Sequence, residues 1–219
     1  MKTASLMAPN TMRNGHLVVG MVLTTWFVLV TLLSVNGVFV PQPGEPPLNL
    51  LLSFAVSVGV FAVLYVAIPA VREYVLALDM RMLILLHTWR MLGLGFVMLY
   101  VVDQLPLSFA FLAGFGDVMA AIGAMALGYL MFTRAKSVSQ KWIWRWNTFG
   151  ILDFVAAIGV GLLTRQGALL EASSGLNSDL MLQFPLVIIP AFLVQVLTIT
   201  HIIIYLQLRR CGVEAGSNV

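Results

Sequence analysis

Charge is what this sequence has least of. Asp, Glu, Lys and Arg make up only 10% of its 219 residues against 60% hydrophobic types, too few to cover the surface of a soluble domain of that length. Cysteine is nearly absent as well. Cys211 stands alone, beyond the last apolar run, which excludes an intrachain disulfide and a thiolate-rich metal site and leaves the redox compartment unread. Twelve basic residues against nine acidic ones give a formal charge of +3. They form no clustered basic face of the kind nucleic acid requires, so no nucleic-acid partner is expected.

What the sequence does have is long apolar runs. Six reach spanning length, at roughly 17–40, 50–71, 82–102, 112–133, 142–164 and 184–208. The expected fold is an all-α polytopic bundle with the lipid bilayer as its solvent. It would be a single domain over 16–210, with a mobile tail at 1–15 and a C-terminal tail at 211–219. The flanks alternate in charge. Lys2, Arg13, Arg72, Arg81, Arg134, Lys136, Lys141, Arg145, Arg209 and Arg210 fall on one side; Glu45, Asp103, Glu171 and Asp179 fall on the other, with Arg165 its only basic residue. The positive-inside rule then puts both tails in the cytoplasm. The first run is about 24 residues long with no small-residue cleavage site after it, so it reads as a retained span rather than a signal peptide.

Connections are marked by proline and tryptophan. Pro41-Gln-Pro-Gly-Glu-Pro-Pro47 cannot be regular helix, Asn36-Gly37 should fray the end of the first run, and Pro69 should stop the second. Residues 72–81 suit a short interfacial helix. Trp142, Trp144 and Trp146 beside Lys141 and Arg145 read as an interfacial aromatic belt.

The third run carries His87 and Arg90, about 8 and 12 Å above its start at 1.5 Å per residue, on one face by their i,i+3 spacing. An arginine mid-span costs roughly 2.5–3.5 kcal/mol without a partner, so it is a structural lock, a working site or a snorkelling side chain. Partners at similar depth are Asp153, Asn147, His201 and Asp117, and Asp153 is the expected one. Gly93 and Gly95 thin the helix beside Arg90 for close packing, as Gly150 does in the fifth run. Asp103 to Thr133 is too long for one untilted crossing. A break is therefore expected at Gly114-Phe-Gly116-Asp117, with a short outer-surface or re-entrant helix over 105–113. Asp117 would then cap the next helix near the outer face, or serve as a second carboxylate. From it a stripe of Ala121, Ala124 and Gly128 offers a packing surface.

In the last run Gln195 lies mid-span, Pro185 and Pro190 kink the first half, and His201 is level with His87 and Arg90. Two histidines at one depth on different spans raise a b-type haem, with His87 and His201 as axial ligands and Arg90 on a propionate. No bare metal site follows from two histidines alone. One internal similarity stands out: Asp117-Val-Met-Ala-Ala-Ile-Gly123 and Asp153-Phe-Val-Ala-Ala-Ile-Gly159 share five of seven residues on oppositely directed runs, the form inverted repeats take in transporters.

Gly114-Phe-Gly116-Asp117 resembles the Gly-x-Gly-Asp of intramembrane aspartyl proteases, with Asp153 and Ile189-Pro190-Ala191 in the other parts. The order is reversed, since in that family the partner aspartate comes first. Together with Trp146-Asn147-x-x-Gly150-Ile-Leu-Asp153, the Pro185-x-x-x-Ile189-Pro190-Ala191-Phe192 run and the late histidine, the pattern over 82–210 resembles an uncharacterised family of small bacterial multi-pass integral membrane proteins. That resemblance implies a six-helix protein of the bacterial inner membrane and no activity. No catalytic residue is assigned. The leading expectation is a small transporter or permeation-linked protein taking a small molecule or ion at a cluster of His87, Arg90, Asn147, Asp153, Gln195 and His201. The alternatives are a haem-binding electron-transfer subunit and a structural subunit of a homo-oligomer or larger membrane complex.

The charge pattern predicts that cysteines placed near Glu45 and in the 170–180 loop react with an impermeant reagent added outside intact cells, while positions near Lys136 and Cys211 do not. The reverse labelling pattern overturns the orientation.

Overall fold

The computed structural model describes residues 9–42, 44–133, 138–170 and 175–216, with side chains described from 10 to 210. The described residues are helical with no strand. Six helices are long and apolar enough to cross a membrane: α1 (Pro9–Val35), α2 (Leu48–Ala67), α4 (Met80–Val101), α5 (Leu107–Thr133), α6 (Gln140–Leu163) and α7 (Ile189–Arg210), with a shorter α3 (Pro69–Ala77) between α2 and α4. Helix α1 starts inside the segment expected to be a tail. At the other end of the chain, helix continues past α7 to Gly216.

Each boundary follows from local chemistry. Val35 is the last residue of α1, and Gly37 takes a positive φ of 70° just beyond it, a conformation glycine adopts freely. Pro69 occupies the first turn of α3, where its missing N–H costs nothing. It therefore starts a helix as well as ending α2, and α3 lies earlier than the 72–81 segment expected. Asp79 caps α4, its carboxylate accepting from the Arg81 N–H at 2.9 Å.

Side-chain bonds fix which helix ends lie together. His16 Nδ1 meets the Tyr74 hydroxyl at 2.8 Å, and Gln207 Nε2 donates to the Val75 and Leu78 carbonyls at 3.0 Å each. The start of α1, α3 and the end of α7 thus share one end of the bundle. At the opposite end Arg165 pairs with Asp179 at 2.6 Å and donates to the Glu45 carbonyl.

Two apolar clusters fill the interior of α4–α7. Leu83, Ile84, Ala124, Leu127, Ile143, Trp146, Ile203 and Ile204 pack toward the α3 end; Phe96, Phe109, Ala113, Val160 and Met181 pack toward the Arg165 end. A smaller one joins Val30 and Phe39 to Val187 and Ala191. Helix α2 buries none of its residues. Arg90 lies between Ile84 and Phe96 on α4, Asp117 between Ala113 and Ala124 on α5, and Asp153 between Trp146 and Val160 on α6, so all three fall between the two main clusters.

Three expectations are corrected here. Residues 107–133 form one continuous helical span with a π-helical stretch at Ala110–Phe115 rather than a break at Gly114–Asp117. Trp146 is buried, its indole N–H donating to the Ala120 carbonyl at 2.9 Å. It lies a turn deeper than the exposed Trp142, where a Cβ on Gly123 would strike its ring. A Cβ on Gly95 would meet nothing within 4 Å, so no close packing depends on that glycine, whereas a Cβ on Gly93 would come 2.7 Å from the Gly114 carbonyl oxygen and 2.6 Å from Asp117 Cβ. Ala121, Ala124 and Gly128 are buried as expected, Gly128 against Leu85.

The contrast between the two glycines is testable. Gly93→Ala should lower thermal stability of the purified protein by about 1–3 kcal/mol, the usual cost of overpacking against backbone that cannot yield. Gly95→Ala should leave it unchanged or raise it slightly. Equal melting of both variants would refute the close approach of α4 to α5.

Candidate functional site: a buried guanidinium between two carboxylates

His87 to Gly93 is wound as 3-10 helix within α4. At three residues per turn, side chains three apart eclipse. His87, Arg90 and Gly93 are accordingly the buried residues of that stretch, a single line facing the interior rather than the inclined stripe of an α-helix. Arg90 is 3% exposed, so it does not snorkel.

Four of its five N–H groups are engaged. Nε donates to Asp117 Oδ1 at 2.8 Å, Nη1 to the Gly150 carbonyl at 3.1 Å and toward His201 Nε2 at 3.3 Å, and Nη2 to Asp153 Oδ2. The Phe154 ring lies 4.0 Å from the guanidinium carbon, a cation–π contact. The expected Arg90–Asp153 pair is present, and Asp117 joins it. Asp117 does not cap a helix at an outer face. Because residues 107–115 stay helical, it falls mid-span, and its carboxylate goes to Arg90.

Glycines make the approach possible. A Cβ on Gly116 would collide with the Asp153 carboxylate, and one on Gly150 would strike the His201 ring and Arg90 Nη1. Gly114 and Gly116, expected to break the helix, instead thin α5 where α4 and α6 press against it.

The histidines form a second layer whose tautomers follow from their bonds. Asn147 Nδ2 donates to the His201 carbonyl at 3.1 Å, so its Oδ1 faces His201 Nδ1 at 2.7 Å. His201 therefore carries its proton on Nδ1 and offers Nε2 to Arg90. Thr200 spends its hydroxyl proton on the Leu197 carbonyl at 2.7 Å, so it accepts from His87 Nε2 at 2.9 Å. That leaves His87 Nδ1 without a partner among the described residues. The two imidazoles stack with centroids 3.9 Å apart and planes tilted 36°, and Trp146 meets His87 edge-on at 5.2 Å.

That stacking decides the haem question. Axial ligands lie on opposite faces of a macrocycle, and rings 3.9 Å apart leave no room for one between them; His87 Nε2 and His201 Nε2 are moreover already bonded. The arrangement does not fit haem ligation. No group of three or more potential metal-ligating side chains occurs among the described residues. Gln195, expected in the cluster, bonds Ser53 Oγ on α2 at 2.9 Å and the Pro190 carbonyl at 3.4 Å. Six residues from His201 is about 240° round an α-helix, which turns it away from Arg90 and toward α2, where it is fully buried. The aspartates are bridged by a guanidinium, an arrangement unlike two carboxylates sharing one proton, and it gives the protease resemblance no support.

Reading the sequence missed Phe154, Thr200, the cradle role of Gly114 and Gly116, and the Arg165–Asp179 pair. The last had a signal, since Arg165 is the only basic residue on the acidic side.

Fold and site define an all-helical protein with six helices of membrane-crossing length and apolarity and a charge cluster buried between four of them. Residues 46–209 match the family described as Domain of unknown function (DUF8737), about three quarters of the chain, and the chain belongs to that family. No curated protein and no solved structure matches it. The matched segment contains every residue of the cluster and leaves out α1.

The second carboxylate changes what restores stability. Removing one member of a buried pair strands the other charge at about 3–5 kcal/mol, whereas replacing all members with apolar residues is often neutral. Arg90→Met with Asp153→Leu strands Asp117 and should fold poorly; adding Asp117→Leu should recover monodisperse, wild-type-like melting. A double variant as stable as the triple would show that Asp117 does not depend on Arg90.

Proposed function

We propose that this protein is a multi-pass integral membrane protein of the bacterial inner membrane, with both termini cytoplasmic, that works as a small transporter. Its Arg90–Asp117–Asp153 cluster exchanges a proton as part of the cycle. The observation that carries the reading is the charge count at the cluster. Two carboxylates share one guanidinium, so one formal negative charge is left over in an interior where an uncompensated charge costs several kcal/mol. A proton or a cation must neutralise it. A purely structural lock needs only one carboxylate, and the second is the feature that a carrier of charge uses.

The orientation is supported by charge placement. The α3 end carries Arg13, Arg72, Arg81 and Arg209 alongside Glu73 and Asp79, whereas the opposite end has Arg165 as its one basic residue, and the rule counts basic residues. The bacterial assignment rests on the resemblance over 82–210.

Infrared titration of the protein in lipid nanodiscs tests the proton. A carboxyl C=O band should appear and disappear with pH, and Asp117→Asn or Asp153→Asn should remove or shift it. In dye-loaded proteoliposomes the same variants should lose proton exchange. A wild-type protein with no titrating carboxyl band and no proton exchange sinks the transporter reading.

A further inference from the structure

A cavity of about 320 Å³ runs from Arg165 and Ser178 at one end to Asp117 at the other. Its walls are almost wholly apolar. Phe54 from α2, Phe96 from α4, Phe109 from α5, Phe154 and Ile158 from α6 and Val194 from α7 line it, so five of the six long helices contribute and aromatic faces recur on four sides. A volume of this order with few polar groups suits a small ligand that is mostly hydrocarbon.

The polar groups at its two ends are not alike. At the mouth, Arg165 is satisfied by Asp179 and the Glu45 carbonyl, and the Ser178 hydroxyl donates to the Gly161 carbonyl at 2.5 Å. At the floor, the Asp117 side chain is 14% exposed, against 1% for Arg90 and 6% for Asp153. Asp117 is thus the edge of the cluster that the cavity reaches. Its Oδ1 is taken by Arg90, and no described residue donates to its Oδ2. The guanidinium stands behind it, and the unbalanced charge of the cluster is negative.

We propose that this cavity binds a lipophilic organic cation, its hydrocarbon body among the phenylalanines and its cationic head against Asp117. An anion meets a carboxylate at the floor and finds no free donor there. A wholly neutral molecule leaves the excess charge where it was. Aromatic faces add attraction for a poorly hydrated cation. Helix α2 buries none of its residues yet lines the cavity with Leu50, Leu51 and Phe54, so the proposed route in from the surrounding apolar phase passes this helix. The proposal rests on the proton-exchanging cluster: with a proton on one carboxylate the cluster is neutral, and on binding the cation replaces that proton, which leaves to solvent, so charge balances before and after.

Calorimetry on the full chain in nanodiscs tests this, with benzyltriethylammonium as probe, 4-tert-butylbenzoate as the anionic comparator and a neutral aromatic hydrocarbon of similar size. Repeating the titration in buffers of different ionisation enthalpy counts released protons. The expected result is saturable binding of the cation alone, one proton released per cation bound, and affinity that falls as pH falls. Asp117→Asn should weaken binding roughly tenfold or more, in line with the loss of a charge pair. Ile158→Trp, which fills the cavity without touching an ion pair, should abolish it and keeps the test decisive where Asp117→Asn does not fold. Binding of the hydrocarbon or the benzoate in place of the cation, or cation binding unchanged in both variants, overturns the proposal. A titrating carboxyl band with no cation binding overturns the ligand class and leaves the proton site standing; cation binding at Asp117 with no proton released overturns the coupling and leaves the cavity site standing.

Discussion

The structure depends on where one guanidinium can be put. Arg90 is buried in the middle of α4, so helices α5 and α6 each bring a carboxylate to it and α6 and α7 supply the Gly150 carbonyl and the His201 ring. Four helices are thereby tied at one depth by directional bonds, whereas the apolar clusters on either side are not directional. In an apolar phase there is little hydrophobic drive between helices. Register and rotation of α4, α5, α6 and α7 then follow from the cluster, and the packing above and below it follows from them. The glycines at 93, 114, 116 and 150 belong to the same constraint, because four helices reach one side chain only where backbone can come close to backbone.

Departures from α-geometry fall where the cluster needs them. Arg90 sits in a 3-10 stretch, Asp117 follows the π-helical Ala110–Phe115, and α7 opens with π-helical Ile189–Leu193 before the turn that carries His201. Such stretches interrupt helices at functional sites more often than elsewhere. The effect here is concrete: winding α4 at three residues per turn lines His87, Arg90 and Gly93 up on one edge. The helix that bears Asp153, Asn147 and Gly150 is regular throughout, so the others adjust to it.

Much of this was legible from residue types alone. Apolar run length gave six helices, the i,i+3 spacing gave His87 and Arg90 a shared face, and the rarity of charge in the runs singled out Asp153 as the partner. What stayed hidden were consequences of tertiary approach. Gly-x-Gly before an aspartate signals a break or a close contact equally well in one dimension, and only the arrival of Asp153 against Gly116 decides between them. Trp146 looks like its neighbours Trp142 and Trp144 until the small residues of α5 make room for it. Gln195 and His201 share one regular helix, so their separation of about 240° is readable from spacing, but which of the two faces meets α2 and which meets Arg90 is not.

The two matching heptapeptides acquire a limited meaning. Asp117 and Asp153 both end on Arg90, yet the residues after them live differently: Ala120 and Gly123 are packed against α6 and Trp146, while Ala156 is exposed and Gly159 faces open space. The similarity therefore extends to the carboxylate and not to the helix behind it. That asymmetry matters for the charge. Asp117 faces the apolar cavity; Asp153 is the more enclosed of the pair; and the His201–Asn147 and His87–Thr200 bonds lie on the far side of the guanidinium from the cavity floor. In the proposed exchange Asp153 stays paired to Arg90 while Asp117 changes its partner; the Asp153, Gly150 and His201 bonds then keep α4, α6 and α7 in register, and the Trp146 bond to the Ala120 carbonyl keeps α5 against α6.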